Sequence, residues 1–382
     1  LDTVVVTGSR IPRAELENEQ PIISVSREQI EKQGFSSVAD ILQNLTSAGS
    51  PAISRANALS SGEDVGGYYI DLRNLGASYQ TIAEQGGGIT STVSATDRAS
   101  DEALMEAMRA RLDTALLHGI TSMEVKTGYG LLPAAELRLL RLIVATSAQH
   151  PIAVSPTFLC HVLPASAKEG AERERLVAAL VDTLATAQQQ GADAIDVYCD
   201  VGAFTLEETR RLLARAKAVG LLLRCHAEQF TYTGAAQLAA ELGARSVEHL
   251  EQLDPPGRAA MAAHQTIANL LPGAALTLRL PWPDAAQLRN AGVTIALGTD
   301  CNPGSSHTPS QQLMMSLACT QMGLSCAESW LAVTQHAARS IGCDSRGQLV
   351  PGHLARQGRR VGPDGDRDGR LVDVDAWQRM RV

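Results

Sequence analysis

Four side chains in this sequence stand where chemistry can be done: His161, His226, His249 and Asp300. Each follows a short run of apolar, β-type residues. "IAVSPTF" runs on to His161, "LLLRC" to His226, "RSVE" to His249 and "VTIALGT" to Asp300. A single histidine at such a place is ordinarily a hydrogen-bonded rim residue. Three histidines and an aspartate at the same end of successive strands are a different matter. Neutral imidazole and carboxylate are the donors a borderline divalent cation such as zinc accepts. Asp300 is expected where a buried strand emerges into a pocket, close enough to share a metal-bound water. The "CNPGSS" that follows is expected to offer backbone N–H groups and hydroxyls to an anion, as a nest does. Two more strand ends carry polar groups. "ITSMEVK" reaches Lys126 and then "TGYG" with Tyr129, and "DAIDVYC" reaches Asp200, which reads as a capping or structural acid.

Side chains aligned in this way need a parallel sheet beneath them. Strands are expected at 120–126, 152–158, 193–199, 221–226, 245–249, 266–271 and 293–299. Their near-continuous apolar character and the Ala/Leu helical patterns between them imply a parallel sheet covered by helices. Ser100 before Asp101 and Glu102 starts a helix that ends near Leu117. "TLEE" is a capping box with Thr205 as cap and Glu208 three residues on. Gly119, Gly220 and Gly243 fall where helices stop. Seven strands are one short of a (β/α)₈ barrel and would also suit an open doubly wound sheet, so the count leaves both open. Reactive groups gathered at the C-terminal strand ends favour the barrel.

The totals agree with a soluble globular protein. The chain has 382 residues, 45% of them hydrophobic and 19% charged, enough for one large domain or two ordinary ones. A net charge of −8 argues against nucleic acid or an anionic membrane as partner. Seven scattered cysteines without a Cys-x-x-Cys pair read as reduced thiols, so a cytoplasmic location is expected.

The blocks "GASYQTIAEQGGGI", "MEVKTGYGL", "SPTFLCHVLP", "HAEQ", "SVEHLEQLD", "ANLLPGAA" and "GTDCNPGSS" resemble imidazolonepropionase, a branch of the metal-dependent amidohydrolase superfamily. The resemblance implies a hydrolase that opens the ring of 4-imidazolone-5-propanoate to N-formimidoyl-L-glutamate in histidine degradation. It implies one divalent ion, zinc or iron, held by His226 and Asp300. Asp300 would also take the proton of the attacking water. His249 would polarise the substrate carbonyl, and Gln229 would stand at a site position that is Glu or Gln in the family. Tyr79, Tyr129, His161, Asn302, Gly304 and Ser305 would touch the substrate. A homodimer is a further possibility. The family carries a His-x-His pair on its first barrel strand. This sequence has none, and its first histidine is His118.

The expected fold is therefore α/β: an incomplete (β/α)₈ TIM-like barrel lacking its first strand, over residues 77–353. A small α+β segment, 1–76, precedes it. There "TVVVTGSRIPR", "PIISVSREQIEKQGFSSVADILQNL" and "GGYYIDLRNLGA" resemble the plug of TonB-dependent outer-membrane receptors. The tail, 354–382, is dense in Arg, Gly and Asp, and reads as irregular. Two alternatives accompany the hydrolase: a receptor plug fragment, or an inactive chimaeric remnant of an amidohydrolase.

Overall fold

In the computed structural model, residues 89–348 are described, together with the backbones of four short strands at 3–6, 23–26, 355–356 and 371–372. The chain divides into two compact units, Leu1–Gly86 and Gly87–Val382. In the first unit, β1 (Thr3–Val6) pairs antiparallel with β2 (Ile23–Ser26). In the sequence, Ser26 is placed to cap one short helix and Ser36 or Ser37 another, and those stretches lie outside the described residues.

The second unit begins with α1 (Ile89–Arg98) and α2 (Asp101–Leu117). Seven strands follow: β3 (Ser122–Lys126), β4 (Ala153–Cys160), β5 (Ala194–Cys199), β6 (Leu222–Ala227), β7 (Ser246–His249), β8 (Ile267–Leu270) and β9 (Ile295–Leu297). Each pairs in parallel with the next in chain order, so the expected seven-stranded sheet is present. The crossovers carry α3 (Pro133–Ser147), α4 (Gly170–Gln189), α5 (Leu206–Ala218), α6 (Ala235–Leu242), α7 (Pro255–Ala263), α8 (Pro272–Leu278) and α9 (Ala285–Asn290). Beyond β9 come α10 (Gln311–Gln321), α11 (Cys326–Val333) and α12 (Gln335–Ser340), and the short pair β10 (Ala355–Arg356) and β11 (Leu371–Val372).

Local signals hold where they were expected. Ser100 accepts from the Ala103 N–H, and Thr205 and Glu208 form the reciprocal capping box on α5. Gly119, Gly220 and Gly243 have φ near +85 to +89, the left-handed turn that ends a helix. The outward strand residues Phe158, Ile195, Val197, Cys225 and Val247 are buried against helical Leu176, Leu180, Leu212 and Ala239 in one core. Leu112, Ala115, Ile120 and Ile152 form a smaller cluster beneath α2.

The inward residues show that the sheet curls. Four strand spacings of about 4.8 Å would set β3 and β7 about 19 Å apart in a flat sheet. Yet Lys126 Nζ on β3 lies 2.7 Å from Glu248 Oε2 on β7. The sheet is a curled barrel wall of seven described strands. Among the described residues, β3 and β9 are its two edges. The helices beside those edges touch, since Gln312 Nε2 on α10 donates to the carbonyl of His118 at the end of α2, at 2.9 Å. No described helix is long and apolar enough to cross a membrane.

Candidate active site

The barrel interior is polar in two layers. The inner layer is built by alternation along the strands: Glu124 and Lys126 on β3, Thr157 on β4, Asp196 on β5, Arg224 and His226 on β6, and Glu248 on β7. Register sets Asp196 beside Arg224 and His226 beside Glu248. Lys126 touches Asp196 and Glu248, and comes within 3.4 Å of Glu124. The fully buried Arg224 pairs with Glu124 and donates to Thr157 at 2.6 Å. His226 Nδ1 sits 2.8 Å from Asp196 Oδ2 and 3.3 Å from Glu248 Oε2.

Three carboxyls thus face two permanent cations and one imidazole. Burial opposes every charge here, and the opposite charges answer it. Asp196 is held well below the usual carboxylate range by His226 and Lys126. The ammonium of Lys126 is pushed well up by Asp196, Glu124 and Glu248. Glu248, with two like charges nearby and its own desolvation, is pushed up to about 7, while Asp196 raises His226.

Asp196, His226 and Glu248 offer donor atoms within 4.8 Å of one another, as a cation site would. A metal does not fit among them, because the Lys126 ammonium already contacts the two carboxylate oxygens that would coordinate it. The group fits a different role. A carboxylate on one ring nitrogen orients an imidazole and leaves the other nitrogen for a metal. His226 held through Nδ1 keeps Nε2 for that purpose, and Asp300 supplies an oxygen donor of the right chemistry.

The outer layer is a ladder of rings. Tyr129 and His161 lie 5.5 Å apart between centroids, His161 and Tyr198 5.9 Å, Tyr198 and His226 5.9 Å, and His226 and His249 5.0 Å. Four of the expected site residues therefore share one mouth. Tyr198 joins them, one inward step beyond Asp196 on β5 and in register with His226. Burial lowers His161 to about 4, and burial with the nearby His226 lowers His249 well below the usual imidazole range, so both are neutral at pH 7.

The strand ends are strained. Leu131, Glu228, His249, Leu250 and Asp300 all have positive φ, between 48 and 77, and all lie at or beyond the C-terminal end of a strand. Each costs on the order of 1–2 kcal/mol. Buried carboxylates hold the loops in place. Glu136 accepts from Gly128, Gly130 and Leu131 N–H at 2.6–2.8 Å, shaping the "TGYG" that carries Tyr129. Glu228 accepts from Ala235 and Ala236 at 2.9 Å at the start of α6. Asp200 accepts from Val201 at 2.7 Å and Phe230 at 2.9 Å, the structural role expected of it.

Around Asp300 the loop closes on itself. Asn302 Nδ2 donates to the Asp300 carbonyl at 2.8 Å, and Ser305 Oγ donates to Asp300 Oδ2 at 2.6 Å. The nest expected of "CNPGSS" is not open. The N–H groups of Gly304 and Ser305 both donate to Asn302 Oδ1, at 2.8 and 3.0 Å. The loop's donors are spent on fixing Asp300. Gly273 lets α8 approach, since a Cβ there would meet Ser306 Oγ at 2.5 Å. Gln229 is buried beside this mouth, and Tyr79 lies outside the described residues.

A model of the amidohydrolase family matches residues 41–355. Curated relatives include the imidazolonepropionase of Rubrobacter xylanophilus, 46% identical over 287 residues, 75% of this chain and 68% of that protein. Those of Myxococcus xanthus and Paracoccus denitrificans are 41% and 43% identical, over 74% and 75% of this chain and 68% and 72% of theirs. Among solved structures, a guanine deaminase from C. acetobutylicum superposes with a TM-score of 0.52 at 12% identity, covering 68% of this chain and 67% of that one. An adenosine deaminase from Xanthomonas campestris with bound zinc gives 0.51 at 16%, covering 70% and 63%. At such identities these two share the fold.

Proposed function

This chain belongs to the amidohydrolase family and, within it, to the imidazolonepropionases, and we propose from that premise that it hydrolyses the lactam ring of 4-imidazolone-5-propanoate to N-formimidoyl-L-glutamate. One divalent ion, zinc or iron, would be held by His226 and Asp300. When bound, it supplies an acidified water as nucleophile.

The chain's own residues do the rest. Asp196 and Glu248 hold His226 in one orientation. The Asp300 carboxylate, steadied by Ser305 Oγ, takes a proton from the water that adds to the ring carbonyl carbon. The C–N bond then breaks, and the proton goes to the departing ring nitrogen. Burial raises the carboxyl of Asp300 above the usual range, which suits a group that must hold the proton between these steps. His249, neutral at pH 7, donates a hydrogen bond to the carbonyl oxygen as charge develops there. Tyr129, His161, Asn302, Gly304, Ser305, Gln229 and Tyr79 are proposed to frame the substrate.

The reading is carried by the extent of the family match, 41–355, which takes in every strand whose end contributes to the ladder of rings. Metal content of the purified protein and turnover of imidazolone propanoate test it together. Zinc or iron near one equivalent with ring opening is expected. A metal-free protein that leaves the ring intact after zinc and iron loading would overturn it.

A further inference from the structure

Glu251 lies two residues beyond β7 and is absent from every role assigned above. Its side chain is fully buried. Neither of its carboxylate oxygens has a hydrogen-bond partner in any other described residue, and the same is true of His249 Nδ1. The two face each other, with Glu251 Oε1 3.9 Å from His249 Nδ1. Native proteins rarely leave buried polar atoms unpartnered, and those that remain call for an explanation. The backbone supplies one. His249 and Leu250 are consecutive residues at φ 77 and 75, and no glycine relieves either. That double left-handed turn returns the side chain of residue 251 to the ring of residue 249. It is fastened on both sides, by Leu250 N–H to the Ala227 carbonyl at 3.2 Å and Gln252 N–H to the Glu228 carbonyl at 2.8 Å.

We propose that Glu251 is a positioning residue, whose carboxyl group pairs with His249 Nδ1 and so holds that imidazole in one tautomer and one orientation. At 3.9 Å the two atoms stand about 1 Å outside hydrogen-bond length, and each is the buried, unpartnered polar group that the other faces. No bond is made or broken. One tautomer of His249 is selected over the other.

The role of the ring rests on the proposed hydrolase, but the test does not. Nitrogen-15 spectra of histidine-labelled protein distinguish the two neutral tautomers, and His249→Asn identifies the His249 signals. The full chain should show His249 as a single tautomer. Glu251→Leu should give both tautomers in comparable amounts. Glu251→Gln, whose amide N–H can donate to Nδ1, should restore the single form and confirms folding at the site. An unchanged His249 spectrum in Glu251→Leu, or a mixture already present in the unsubstituted chain, would overturn the proposal. If ring opening is observed, kcat should fall in Glu251→Leu while KM holds. Loss of turnover in every variant with the tautomers as described would fault the assigned reaction and leave this positioning role standing.

Discussion

The inner layer and the mouth of the barrel are built from the same residue types by opposite rules. Below, around Lys126, each charge has an opposite charge in contact, and the strands that carry them are regular. Above, His249 Nδ1 and the Glu251 oxygens are buried without partners, and the backbone at His249, Leu250 and Asp300 is left-handed. Both layers cost desolvation. Each keeps buried polar atoms without hydrogen-bond partners, Asp196 Oδ1 and Arg224 Nε among those below. Only in the lower layer do opposite charges in contact offset the cost, and under the proposed reaction the upper layer is where the substrate would find its partners.

The harshest way to break this contrast is to make the lower layer unpaired. Lys126→Met strands Asp196, Glu248 and part of the charge of Glu124, and removing one partner of a buried pair costs about 3–5 kcal/mol. Urea unfolding should show that loss. Cobalt(II) should restore part of it, because three donors then lie open within 4.8 Å of one another. A neutral effect on stability would erase the distinction between layers.

In the mouth the same kind of experiment should spare the fold and strike the reaction. Asparagine accepts positive φ more readily than histidine. His249→Asn should therefore leave unfolding free energy no lower while kcat falls about 10²- to 10³-fold, the usual cost of one lost oxyanion donor. Between the two stands Asp196→Asn, which touches the lower layer but acts through His226. It should weaken metal binding about 10- to 100-fold by competition titration.

The mildest test uses pH. Glu251 is raised from 4.5 to about 8 in the fold, so the unfolded chain loses this proton first as pH rises. The native state is favoured by this group below pH 4.5, and the advantage declines between pH 4.5 and 8. Glu251→Gln removes the titration. Its melting temperature relative to the unsubstituted chain should thus be higher at pH 8 than at pH 5. Parallel melting curves across that window would place Glu251 in the paired layer.

Much of the framework could be read from residues alone. Parallel strands covered by helices are rich in apolar residues, and the seven expected stretches match β3 to β9 within two residues at every end. The caps at Ser100 and Thr205 are local chemistry, legible within four residues. The strand-end histidines were found because each closes an apolar run. The charged inner layer left a weaker sign, charges at every second residue in Glu124-Val125-Lys126 and Arg224-Cys225-His226, which period-two reasoning could have caught. Tyr198 falls under the same rule. Glu136 and Glu251 left none. Their roles depend on loop paths set by left-handed residues, and nothing in local patterning announces where such a turn delivers the next side chain.

Every ladder in the sheet joins neighbours in chain order, and the one ladder that would tie the last strand to the first is lacking among the described residues. A sealed ring must bring its two ends together before its wall is complete, and that long closure slows folding. Here assembly can proceed one crossover at a time. It can also be undone in the same way, from either margin inward. Amide exchange should rank the strands by distance from the margins, with β6 the slowest and β3 and β9 the quickest. The strands that carry His226 and His249, β6 and β7, lie deep in that order and would be among the last to open.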